Sequence, residues 1–160
     1  MIRALLLACL LLLSACATQD PLPAQIPHLK LPIQLHVQRE QARPEDWLVE
    51  IKKRDHGVRW VMATTSGTLL AKQDLTNDGW KDKATSDADF DARELFGAVL
   101  FALTSMEEVR FDYPGVQLQP RGRSLGDRWQ VSYVSEGLIR LSLPDGVVYL
   151  ISPIKSKASR

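Results

Sequence analysis

The sequence predicts a mostly β domain with one principal helix. The expected form is an antiparallel curved sheet or half-open barrel of about eight strands, with an apolar helix plugging or capping it. Three observations predict this. Short runs alternate apolar and polar residues between turns rich in glycine, asparagine and proline, which is the signature of half-buried strands. A single stretch, 95–103, is instead almost continuously apolar, as suits a helix buried on more than one side. Finally, a sheet of about eight strands curls as its twist accumulates, and one apolar helix fits inside the curve.

The first 15 residues stand apart from that domain. Arg3 is followed by an apolar core, Ala4 to Leu13. Ten residues are too few to cross a bilayer as a helix, which needs about 20, but they suit a secretory leader. Leu13-Ser14-Ala15-Cys16 closes it and resembles the bacterial lipobox, whose cysteine is lipidated and becomes the first mature residue. The alternative is an ordinary signal peptide with an incidental cysteine. In lipoproteins the next residue influences sorting. Here it is Ala17 and not the aspartate of inner-membrane retention, so the resemblance implies a lipid-anchored protein of the outer membrane facing the periplasm. Three acyl chains, typical of that class, would hold it stably.

Without residues 1–15 the chain has 19 basic and 19 acidic residues. That balance gives no reason to expect nucleic acid as a partner. Cys9 leaves with the leader and Cys16 is the anchor, so the domain must stand on its core without a disulfide. Residues 16–30 carry the lipidated cysteine and Pro21, Pro23 and Pro27. They read as a proline-rich tether, ahead of a domain at 31–155 and a polar tail at 156–160.

Within the domain, Leu31, Ile33, Leu35 and Val37 alternate with polar partners and Pro32, giving a first strand. Trp47, Val49 and Ile51 lie on one face of a second. "VRWVMATT" follows His56-Gly57, so 47–65 predicts a hairpin. Ser66-Gly67 turns into "TLLAKQDL", and Asn77-Asp78-Gly79 turns into "WKDK". A helix is expected over 87–105, with Ser86 and Asp87 as caps and acids at 87, 89 and 91 facing the positive end of its dipole. Gly97 inside it costs about 1 kcal/mol and hints at close approach to a strand. "VRFDY", "RWQVSYV", "LIRLSL" and "VVYLIS" then read as four more strands.

Catalytic and metal motifs do not survive inspection. Asp74, Thr76, Asp78 and Gly79 imitate the start of a calcium loop, but its twelfth position is Thr85; the set beginning at Asp87 ends at Ala98. His28, His36 and His56 lack zinc spacing. There is no G-x-S-x-G elbow and no cysteine left to act as nucleophile. The sequence therefore predicts neither enzyme nor cofactor nor metal site. Arg121 and Arg123, with Arg128 nearby, form the one basic cluster, in a glycine-rich loop 119–128. They are candidates for lipid head-group contact, or simply solvated charges beside Asp127. The apolar helix has two readings. It is core, or else Trp60, Met62, Leu95, Phe96, Val99, Leu100 and Leu103 line a cavity for an apolar ligand, as barrel mouths commonly do.

The ordering from lipobox to last hairpin resembles a family of small bacterial lipoproteins whose genes often sit in aryl-polyene and fatty-acid-synthase-like clusters. The likeness is best over "WVMATT", "SGTLL" and "ARELFGAVLFAL", Trp60 to Leu103, and looser over Arg121 to Ile151. The outline is also similar to LolA/LolB, half-open barrels that pass lipoproteins to the outer membrane. LolB inserts a leucine projecting from a turn; the corresponding Thr65-Ser66-Gly67-Thr68 has no leucine at its tip. These resemblances imply a module that binds an acyl or polyene chain and helps deliver it to the outer membrane. The alternative is a non-enzymatic assembly lipoprotein docking to an envelope exporter or periplasmic carrier protein.

Overall fold

The computed structural model describes residues 21–85 and 92–154. The expected caps and first-turn acids at 86, 87, 89 and 91, the leader, Cys16 and Ala17, residue 155 and the tail 156–160 lie outside the described residues. The fold is mostly β: among the described residues there is a ten-stranded antiparallel sheet that is not closed, with one long helix and one short one. Five strands precede the long helix: β1 Ile33–Glu40, β2 Glu45–Arg54, β3 Gly57–Thr64, β4 Leu69–Thr76 and β5 Gly79–Thr85. The helix α1 is Ala92–Leu103, and α2 is Val109–Asp112. Five strands follow: β6 Val116–Gln119, β7 Gly122–Leu125, β8 Trp129–Ser135, β9 Leu138–Ser142 and β10 Val148–Pro153.

Each half is a meander, and the two are joined through the first and last strands. The order is β5-β4-β3-β2-β1-β10-β9-β8-β7-β6, with Val37 opposite both Trp47 of β2 and Ile151 of β10. The edge strands are thus β5 and β6, and the chain between them carries both helices. Alternate residues of β2, β3 and β4 face inward and are buried: Trp47, Val49 and Ile51; Val58, Trp60 and Met62; Ala71, Gln73 and Leu75. Side chains of β3 and β5 on one wing and of β7 and β8 on the other all reach α1. In a flat sheet β5 and β7 would lie roughly 38 Å apart at the usual strand spacing. A helix with its side chains is only about 10–12 Å wide. The sheet is therefore strongly curved, with the core on its concave face.

Three sequence expectations need correction. Eight strands become ten, because the expected loop 119–128 contains most of the β6–β7 hairpin. Each of its strands has four residues, too few for an alternating pattern to stand out. Gly122 is required there, since a Cβ would meet the Val131 carbonyl oxygen at 2.4 Å. "VRFDY", expected as a strand, instead holds α2 and Tyr113. Ser105 starts that turn: its Oγ accepts from the Glu108 N–H at 3.2 Å and donates to Glu108 Oε2 at 2.8 Å. The Ser-x-x-Glu spacing is a helix-start signal that outweighed β-propensity.

The third correction concerns the tether. From Leu22 the chain lies along the domain. Ala24 N–H donates to the Asp112 carbonyl at 3.0 Å, and the His28 N–H and Nδ1 meet Glu108 Oε1 at 3.1 and 2.6 Å. Ile26, Leu29 and Leu31 pack on the core. Their spacing follows neither strand nor helix period, so patterning alone could not reveal it. This strap crosses the β2–β3 and β4–β5 turns.

Candidate functional site

Ten of the twelve α1 residues are buried, Arg93 and Leu103 being the exceptions. The helix meets the two wings in different ways. Toward β3–β5 the contact is aromatic and apolar. Phe96 lies 5.3 Å from Trp60 and 6.1 Å from Trp80, ring centre to ring centre, and the two indoles are 5.6 Å apart. Met62 is fully buried beside them in the same core. Gln73, opposite Trp60 on β4, is 2% exposed. Trp60 Nε1, Trp80 Nε1 and Gln73 Oε1 have no hydrogen-bond partner. A buried polar atom left unpaired costs about 1–3 kcal/mol. At the surface, Arg93 reaches Asp82 at 2.7 Å.

Toward β7 and β8 the contact is a set of directed hydrogen bonds. Arg123, 4% exposed, donates from Nη1 to the carbonyls of Phe101 at 3.1 Å and Thr104 at 2.8 Å. A cation suits this place because the last helical carbonyls are unpaired and carry the negative end of the dipole. The rings of Phe101 and Tyr133 flank the guanidinium at 5.8 and 5.4 Å, and burial pulls its pKa below the ordinary arginine value. Tyr133 OH donates to the Ala102 carbonyl at 2.8 Å. At the other end of the helix, buried Glu94 accepts from Arg128 through both carboxylate oxygens and from Trp129 Nε1 at 2.6 Å. Between these anchors the helix comes close to β8: a Cβ at Gly97 would lie 3.2 Å from the Trp129 ring.

The candidate cavity residues are thus brought together. Trp60, Met62, Leu95, Phe96, Val99 and Leu100 belong to one core with 0–1% exposure, and Leu103 packs against it half-buried. The fully inaccessible members leave no water-sized void beside them. Open grooves of about 460 and 700 Å3 flank the strap, and none of the seven lines either. The candidate head-group arginines separate. Arg123 and Arg128 are committed to interior partners, whereas Arg121 is exposed and donates to the Val134 carbonyl at 3.2 Å. Arg123 and Arg128, read as head-group contacts or else solvated charges, are structural because helix carbonyls and a buried carboxylate take them. Asp74 of the calcium-like run instead takes Arg59 bidentately at 2.7 Å.

Sequence reasoning passed over Glu94, Gln73, Trp80, Trp129 and Tyr133. Only Glu94 had a signal, as an acid inside an apolar helix. No cluster of three or more metal-ligating side chains occurs among the described residues. In comparisons with known proteins, the chain matches no family model and no curated protein.

Proposed function

We propose that the chain is a non-enzymatic lipoprotein, anchored through Cys16 to the periplasmic side of the outer membrane, that takes up an acyl or polyene chain and helps deliver it to that membrane. In this reading α1 plugs the half-open sheet, and the ligand enters along the seam between α1 and β3–β5. The observation carrying it is the unequal attachment of the helix. Arg123, Tyr133 and the Glu94 cluster keep it on the β7–β8 side by buried hydrogen bonds, while the β3–β5 side holds it by rings around three unpaired polar atoms and, at the surface, by the Arg93–Asp82 pair. Apolar contact is non-directional and can be replaced by another apolar surface. Opening the seam would also let water reach Trp60, Gln73 and Trp80. Covering 200 Å2 of exposed apolar surface by a ligand is worth roughly 5 kcal/mol before ordering costs.

An environment-sensitive fatty-acid probe should bind the delipidated protein saturably at micromolar concentration. Gln73→Leu removes an unpaired carbonyl and should raise stability by about 1 kcal/mol while weakening probe uptake. A melting temperature at or above the parent's shows that the variant is folded, so that loss of binding cannot be blamed on unfolding. No saturable binding by the parent, and no copurified lipid in native mass spectra, would overturn the carrier reading. The burial of ten of the twelve α1 residues favours a second reading, a docking lipoprotein with a filled core, and that outcome would select it. Anchoring is tested separately. Cys16→Ser should abolish acyl labelling and release the protein from membranes, and Ala17→Asp should shift it from outer to inner membrane.

A further inference from the structure

Antiparallel order places alternate connections at the same end of the sheet. The end crossed by the strap carries the β2–β3, β4–β5, β6–β7 and β8–β9 turns, the close of β10 and α2. Exposed large apolar side chains concentrate there. Phe111 is 81% exposed and Met106 53%, joined by Leu22, Val134 and Ile154. Elsewhere among the described residues only Leu48, mid-strand, and Leu69, at the opposite end, are comparably exposed. Single exposed apolar residues need no explanation, but a gathering at one end does.

The strap supplies the second observation. It is fixed to α2 at Ala24 and His28, and Leu22 reaches the β4–β5 turn, with Cδ1 3.2 Å from where a Cβ of Gly79 would stand. Cys16 is six residues before Leu22, so a lipidated Cys16 lies at most about 20 Å from this end. Whatever membrane holds the lipid, this end is the one within reach. Its exposed bases Lys30, Lys53, Arg54, Arg110 and Arg121 are offset only in part by Asp55, Glu107 and Glu136, while Lys52 pairs with Glu50. Apolar insertion is therefore on offer beside a modest excess of positive charge, and the part of binding that persists in high salt reports the apolar contact.

We propose that this end is a membrane-contact face, with Phe111 at its tip and Met106 beside it, that enters the interfacial layer of a phospholipid bilayer. The proposal rests on the reading of Cys16 as the anchor. It orients the domain with α2 toward the membrane and the β3–β4 turn away from it. The test uses the full mature chain carrying Cys16→Ser, so that binding without the anchor can be measured. Sedimentation with phosphatidylethanolamine–phosphatidylglycerol vesicles should show partitioning that persists in high salt. Phe111→Ser with Met106→Ser should lower it about tenfold or more, the loss of burying one large apolar side chain. Leu69→Ser at the opposite end should leave it unchanged. All three positions are exposed, but the Met106 sulfur also accepts from Arg123 Nη2 at 3.2 Å, so Phe111→Ser alone is read beside the double variant, and an unchanged melting curve shows that the fold is kept. A parent that does not sediment with vesicles, or a double variant that binds as well as the parent, overturns the proposal. Acyl labelling of Cys16 is read independently on the unsubstituted chain. Labelling with Phe111-independent vesicle binding rejects the face and keeps the anchor; Phe111-dependent binding without labelling rejects the anchor and keeps the face.

Discussion

The two wings of the sheet hold the same helix by different physics. Strands β1–β5 are seven to ten residues long and offer α1 a wall of rings and aliphatic chains. Strands β6–β10 are four to seven residues long, and their side reaches the helix through Arg123, Arg128, Trp129 and Tyr133. The long wing contributes area, which is strong but non-directional. The short wing contributes geometry, since a charge-assisted hydrogen bond fixes position and is expensive to leave half made. A helix held by buried hydrogen bonds on one side, and by rings plus one surface ion pair, Arg93–Asp82, on the other, has a side on which it can part more readily.

The sharpest way to break that comparison is to damage each wing's contact in turn. Phe96→Ala removes the ring shared with Trp60 and Trp80 and should cost about 3–5 kcal/mol in denaturant melts. Arg123→Met keeps the volume but strands the Phe101 and Thr104 carbonyls. It should cost about 2–3 kcal/mol and lower hydrogen-exchange protection at the C-terminal turn of α1 more than elsewhere. If Phe96→Ala also opened that last turn selectively, the two contacts would not be separable and the seam would be misplaced. Gly97→Ala is a smaller and more pointed test. Alanine normally gains about 1 kcal/mol in a helix, but its Cβ would press on Trp129, which Glu94 holds in place. A net loss is expected; a net gain would show that the short wing yields more than its hydrogen bonds suggest.

The smallest effect concerns the strap, which belongs to neither wing. The hydrogen bond from His28 holds the Glu108 carboxyl below its ordinary value of 4.5. A depressed carboxylate adds stability above 4.5 that is lost as pH falls through the lowered value. Glu108→Gln should cost under about 1 kcal/mol at neutral pH, since the pair is largely exposed. The difference from the parent should vanish in acid. Burial raises the Asp112 pKa, so its contribution runs the other way, present in acid and lost as pH rises. Comparing Glu108→Gln with the parent isolates the first. A difference that persists unchanged to low pH would show that Glu108 does not act through its charge.

Local chemistry made much of this protein readable from sequence. Period-two alternation in the first two strands, and apolar runs bounded by turn residues in six more, marked eight of the ten strands, and the apolar body of α1 announced a helix buried on several sides, because backbone geometry ties side-chain direction to residue number. The same signals missed β6 and β7, which are too short for a pattern to repeat, and "VRFDY" reads as a strand when the Ser105–Glu108 turn signal is passed over. What only the tertiary structure decided depends on partners far apart in the chain. That β1 lies between β2 and β10, that Arg123 serves the helix end, that Glu94 gathers Arg128 and Trp129, and that residues 22–31 dock on α2 and the core are all non-local facts. An arginine in a polar run carries no sign of whether water or an unpaired carbonyl will solvate it. That is settled only when the fold has removed the water.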